Sequence, residues 1–151
     1  MIDHTVADFS LPATGGRTFT LSACQGSPVV LYFYPKDSTP GCTTEARQFR
    51  DLHPQFTAAG AIVVGVSRDS IRSHENFKAR QELPFDLLSD ADELLCTSFS
   101  VIKMKSMYGR QVRGIERSTF AIDRQGVLRR EWRGVKVDGH AQEVLEFVTQ
   151  L

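Results

Sequence analysis

The sequence predicts an α/β protein: a mixed central β-sheet with helices on both faces. Three observations carry that expectation. Residues 29–34 (VVLYFY) and 61–66 (AIVVGV) are unbroken runs of β-branched, aliphatic and aromatic residues, as expected of strands covered on both sides. The stretches that follow them, from about residue 40 and from residue 70, carry helix caps and apolar spacing. Near the C terminus, two strand-like runs flank Asp123-Arg124-Gln125-Gly126, a Gly-containing hairpin turn.

In chain order, residues 18–21 alternate in polarity after the turn residues Gly15-Gly16 and read as a short strand. Residues 29–34 form the first buried strand and 35–41 a loop. A helix is expected from about Pro40 toward His53, resuming after Pro54, because proline removes an intrahelical donor. Residues 61–66 form the second buried strand. Residues 70–81 read as a helix capped by Asp69 or Ser70, and residues 85–88 as a short strand. Residues 92–99 read as a helix, with Leu95, Phe99 and Ile102 at i, i+4 and i+7. Residues 118–122 and 127–132 are the arms of the hairpin. Residues 138–151 close the chain as a helix that turns Val144, Leu145 and Val148 to the core. No repeat, low-complexity stretch or linker divides the chain, so residues 1–151 are expected to form one domain. Two parallel strands joined by a helix, then a hairpin and a helix, is similar to the order of a thioredoxin-like fold.

Composition narrows the function. At 41% hydrophobic and 24% charged residues, the chain is an ordinary globular protein with no run long enough to span a bilayer. Met1-Ile2-Asp3-His4-Thr5 shows no basic segment followed by an apolar one, so a cytoplasmic location is expected. A net charge of zero argues against nucleic acid or an anionic membrane as the main partner. The charge is nevertheless uneven. Residues 103–136 hold ten Lys/Arg (103, 105, 110, 113, 117, 124, 129, 130, 133, 136) against three acids (116, 123, 131). Most of these read as solvated surface on loops and hairpins, but an arginine among them could serve an anion. The three cysteines, 24, 42 and 96, are too few for a disulfide scaffold and include no CxxC. They point to free thiols or a reactive one. The four histidines (4, 53, 74, 140) show no metal-ligand spacing.

The chemistry concentrates at Thr39-Pro40-Gly41-Cys42. Thr39 is a good N-cap, and Pro40 suits the first helical position. Gly41 leaves the helix mouth uncrowded, and Cys42 falls third. A capping box places a carboxylate or amide there. A thiolate in that slot meets unpaired backbone N–H groups and the positive end of the helix dipole, and the thiolate is the nucleophile. The Thr39 hydroxyl is within reach to donate to a thiolate or a peroxide oxygen. Pro35, just past a buried strand, would pack over the site. Cleavage of an O–O bond also calls for a cation on the leaving oxygen. Arg117, at the start of the strand 118–122, leads several arginines that would qualify.

Residues 35–43 (PKDSTPGCT) resemble the PxxxTxxC motif of peroxiredoxins. With Glu45 they resemble the bacterioferritin comigratory protein group, also called peroxiredoxin Q. The resemblance extends to residues 29–37, Leu87-Leu88-Ser89-Asp90, 105–110 and 114–123, nearly the whole chain. It implies a thioredoxin-like fold, an often monomeric protein and no cofactor. It implies a thiol-specific peroxidase acting on hydrogen peroxide and organic hydroperoxides in antioxidant defence. Cys42 would be the peroxidatic cysteine, Thr39 and Arg117 its hydrogen-bond partners and Pro35 its shield. Many members carry a resolving cysteine five residues on, where this chain has Arg47. Others carry one in the next helix, and residues 70–81 contain none. Cys24 and Cys96 both read as packed small residues. A one-cysteine mechanism is therefore expected, with recycling by an external thiol: thioredoxin, or glutathione with glutaredoxin. Three other readings are a thiol–disulfide oxidoreductase, which the missing CxxC disfavours, a non-catalytic redox switch, and a Cys–His hydrolase using His53.

Overall fold

The structure, a computed structural model, describes all residues 1–151. Its elements are β1 (Ser10–Ala13), β2 (Arg17–Thr20), β3 (Val29–Phe33), α1 (Pro40–Ala58), β4 (Ile62–Ser67), α2 (Ile71–Gln81), β5 (Asp86–Ser89), α3 (Leu94–Ser98), β6 (Ile102–Met107), β7 (Arg110–Ile115), β8 (Ser118–Ile122), β9 (Leu128–Arg133) and α4 (His140–Val148). Seven strands form one mixed sheet in the order β2-β1-β5-β4-β3-β8-β9, and β6 and β7 pair as a separate hairpin. β3 and β4 are parallel, as are β4 and β5, while β8 runs antiparallel to β3.

The two buried runs become the sheet's centre because both of their faces are covered. Alternation divides their side chains between two cores. Val30, Tyr32 and Val63 join Ala46, Phe49 and Phe56 of α1, Phe77 of α2 and Val144, Leu145 and Val148 of α4. Val29, Leu31, Phe33, Val64 and Val66 join Leu95 and Cys96 of α3 and Phe99 on the opposite face. Helices thus cover both faces, as expected. Gly65 in β4 is required by packing: a Cβ there would lie 2.8 Å from Tyr32 Cζ. Its absence admits the Tyr32 ring, which stacks on Phe49 of α1 at 4.6 Å.

β3 and β4 pair in register, with Phe33 opposite Val66. Both strands therefore leave the sheet at the same edge, where α1 and α2 begin. In open α/β sheets this edge is the usual place for a functional site.

Several expectations need correction. α1 runs unbroken through Pro54, which stands in its last two turns, so the missing N–H costs one bond near an already fraying end. β1 and the β6–β7 hairpin were not expected. β6 and β7 meet at Tyr108 (φ 53°) and Gly109 (φ 75°), a two-residue turn with both residues left-handed, as the twist of tight hairpins requires. α3 starts at Leu94 because Glu93 is left-handed (φ 60°), and α4 starts at His140 after left-handed Gly139. No helix is long and apolar enough to cross a membrane.

Candidate active site

β3 delivers the chain through Tyr34 into the loop that precedes α1. Ser38 adopts φ 64°, and Thr39 returns to extended backbone (φ −82°, ψ 153°). Pro40, Gly41 and Cys42 then form the first helical positions, as the sequence predicts. The backbone of Thr39 begins the helix by accepting from the Thr43 N–H at 2.9 Å. Its side chain does not cap. The hydroxyl donates to the Lys36 carbonyl at 2.8 Å, because the left-handed serine folds that carbonyl back over it. The expected side-chain cap is therefore absent. Thr39 Oγ1 spends its hydrogen on Lys36 and keeps only lone pairs to offer elsewhere. Pro35, in the loop that leads to α1, is half-buried, and Cys42 is 2% exposed.

Arg117 lies between β7 and β8 and reaches across to α1. Its Nη2 stands 3.5 Å from Cys42 Sγ, and its Nη1 donates to Glu45 Oε1 at 2.7 Å. Glu45 is one helical turn after Cys42 and wholly buried. Burial pushes its carboxyl up to about 7, against the pull of Arg117. Burial likewise works against the charge of Arg117, and the neighbouring Glu45 and Cys42 outweigh it, holding the guanidinium above its ordinary range. Gly41 keeps this contact possible, since a Cβ there would come within 3.1 Å of Arg117 Nη2. The sulfur thus belongs to the first turn of a helix that no side chain caps, with a guanidinium beside it, and both a helix N-terminus and a guanidinium favour an anion.

All three cysteines are free. Cys42 belongs to the core on one face of the sheet, whereas Cys24 and Cys96 pack into the core on the other. Cys24 is half-buried, its thiol raised by burial and pointed at the Thr20 carbonyl (3.7 Å). Cys96 is fully buried. His53 packs near the Phe85 ring, 5.9 Å between centroids, and forms no hydrogen bond with Cys42.

The sequence reading quoted Glu45 only as part of a motif and passed over Asp37 and His74. For Glu45 the signal was its i+3 spacing from Cys42, which puts both on one helical face. For Asp37 and His74 the signal was topological: each follows a buried strand, and two parallel strands in register bring those segments together.

A guanidinium placed this way can hydrogen-bond a sulfur and the oxygen being expelled toward it at the same moment. Reduction of an O–O bond by a thiolate is speeded by such a donor, and on a thioredoxin-like sheet the arrangement is that of a thiol peroxidase. The chain belongs to the AhpC/TSA family, whose model matches residues 2–131. It is 54% identical over 147 residues to Peroxiredoxin Bcp of Xanthomonas campestris pv. campestris, covering 96% of this chain and 92% of that one. It is 48% identical over 145 residues to Peroxiredoxin Bcp of Bacillus subtilis, covering 96% and 92%. A cysteine-to-serine mutant of Xylella fastidiosa PrxQ superposes with a TM-score of 0.95 at 47% identity, over 99% of this chain and 96% of that one. The Xanthomonas campestris bacterioferritin comigratory protein, studied for its alkyl peroxide reduction activity, gives 0.90 at 54% identity, over 94% and 90%. The chain therefore stands among the peroxiredoxins of the Bcp and Q type, which are peroxidase oxidoreductases.

Proposed function

We propose that the Cys42 thiolate attacks the O–O bond of hydrogen peroxide or an organic hydroperoxide and is recycled by a one-cysteine route. The sulfur donates an electron pair to the near oxygen and becomes a sulfenic acid, while the far oxygen leaves as hydroxide or alkoxide and takes a proton to give water or an alcohol. Arg117 hydrogen-bonds the sulfur and the departing oxygen. Thr39, whose own hydrogen is committed to Lys36, accepts the hydrogen of the incoming hydroperoxide. Pro35 limits water at the sulfur. An external thiol then condenses with the sulfenic acid, releasing water, and a second thiol frees Cys42 from the mixed disulfide. Thioredoxin, or glutathione with glutaredoxin, fits that role in peroxide defence.

The observation that carries this reading is the 3.5 Å contact between Arg117 Nη2 and Cys42 Sγ. The one-cysteine route is supported by the placement of both remaining thiols across the sheet and by the absence of cysteine from α2. The alkyl peroxide activity studied in the Xanthomonas relative supports organic hydroperoxides as substrates. Non-reducing mass spectrometry after one equivalent of peroxide tests it. A single added oxygen, or an adduct of the supplied thiol, on the Cys42 peptide is expected. A Cys42–Cys24 or Cys42–Cys96 bridge would overturn the one-cysteine route.

A further inference from the structure

We infer that His74 is a positioning residue for the peroxidatic loop, acting on Cys42 through Asp37. The inference rests on the reading of Cys42 as the attacking sulfur.

Asp37 lies in the loop between Pro35 and Thr39 and is only 6% exposed. A carboxylate so buried has to be satisfied by the protein. Tyr34 Oη donates to its Oδ1 at 2.6 Å, and Ser73 Oγ donates to its Oδ2 at 2.8 Å. His74 Nδ1 stands 2.7 Å from that same Oδ2. The Asp37 N–H donates to Asp69 Oδ2 at 2.9 Å, and Asp69 is itself held by Ser67 Oγ at 2.6 Å.

His74 is fully buried, and its Nε2 lies 2.9 Å from the Leu88 carbonyl oxygen. A carbonyl oxygen only accepts, so Nε2 carries a hydrogen and the ring is locked between β5 and the loop. Nδ1 is thereby aimed at Asp37 Oδ2, and at 2.7 Å a second hydrogen lies between the two. The loop needs such a hold because Ser38, the next residue, is a non-glycine in the left-handed region (φ 64°). Residues of β4, β5 and α2 thus fix one side of the loop, while Arg117 approaches Cys42 from the β8 side. His74 sets the distance between sulfur and guanidinium without touching either. Misplacement of a reacting group by about 1 Å is enough to cost roughly a hundredfold in rate.

The test is single-turnover stopped flow of the pre-reduced protein with cumene hydroperoxide, which requires no recycling thiol. It is paired with the ultraviolet thiolate absorbance of Cys42 at neutral pH, which a mere loss of stability leaves unchanged. His74→Gln keeps a donor for the Leu88 carbonyl and gives up Nδ1. His74→Asn keeps a donor near Nδ1 and gives up Leu88. His74→Gln is expected to slow oxidation about a hundredfold and diminish the thiolate signal, and His74→Asn to restore most of both. Tyr34→Phe and Ser73→Ala each remove one donor to Asp37 with little change in volume. They are expected to slow the reaction about three- to tenfold even if the His74 variants do not fold. A wild-type rate and thiolate signal in His74→Gln, or in both milder variants, overturns the inference. Undiminished peroxide consumption by Cys42→Ser would instead sink the reading beneath it.

Discussion

Cys42 and Cys96 occupy the same place in two helices. Each is the third residue, of α1 and of α3, and each is buried, at 2% and 0% exposure. Their surroundings are opposite in sign. At α1 no side chain caps the helix, and Arg117 Nη2 lies 3.5 Å from the sulfur. At α3 the Asp90 carboxylate fills the anion slot, accepting from the Leu95 N–H at 3.1 Å and the Cys96 N–H at 2.7 Å. Burial first, and then Asp90, push the Cys96 thiol far above its ordinary range. Neither burial nor a helix N-terminus makes a nucleophile. What decides is whether the protein has already spent the helix amides on an anion of its own, and which charge stands beside the sulfur.

The comparison can be broken most directly by exchanging sulfur for oxygen at each site. Cys42→Ser should abolish peroxide consumption in a coupled assay, whereas Cys96→Ser should keep wild-type kinetics; loss of activity in the latter would undo the contrast. Next in size is the cation. Arg117→Met should lower the second-order rate with peroxide by about 10²–10³-fold, the magnitude of losing one preorganised donor to a developing charge. Arg117→Lys should fall between, because an ammonium cannot fork to Glu45 and the sulfur as guanidinium does. Stopped-flow rates check both.

Smaller effects sharpen the contrast at Asp90 and Glu45. Asp90→Ala removes the α3 cap and should cost about 1–2 kcal/mol, or roughly 2–8 °C of Tm by calorimetry, without altering peroxidase rates. Glu45 carries a pH signature. Its carboxyl rises from an ordinary 4.5 to about 7 in the folded chain, chiefly by burial. Between those values the folded state holds a proton the unfolded state has lost, so this group's contribution to stability falls as pH rises through the window and levels off above it. His140, lowered by burial from 6.5 to about 4, slopes the other way. It is present in wild type and Glu45→Gln alike, so the difference between their urea midpoints across pH isolates Glu45. That difference should change between about pH 4.5 and 7 and be flat above.

The central strands were legible because β3 and β4 are covered on both faces, and full coverage writes itself as unbroken apolar sequence. The order Thr39-Pro40-Gly41-Cys42 was legible because each residue suits its own local helix-start position. Arg117 was not separable from other arginines by local pattern; only the resemblance singled it out, and the contact with Cys42 arises from the pairing of β8 with β3. β6 and β7 escaped because their outward residues are Lys, Arg and Met on a hairpin standing off the main sheet, so no buried face imprints a pattern. The Thr39 hydroxyl was misjudged because a left-handed Ser38 redirects it to Lys36, and no propensity announces a left-handed serine. Asp37 and His74 meet only through the register of parallel strands far apart in sequence.

Peroxide consumption in a single turnover, followed across the three single cysteine-to-serine variants, bears most directly on these claims. One equivalent of cumene hydroperoxide should be consumed rapidly by the wild-type protein, by Cys24→Ser and by Cys96→Ser, and none by Cys42→Ser. A rapid turnover that survives in Cys42→Ser, or one that is lost in Cys96→Ser, would contradict the assignment of the reacting sulfur to the open helix mouth beside Arg117.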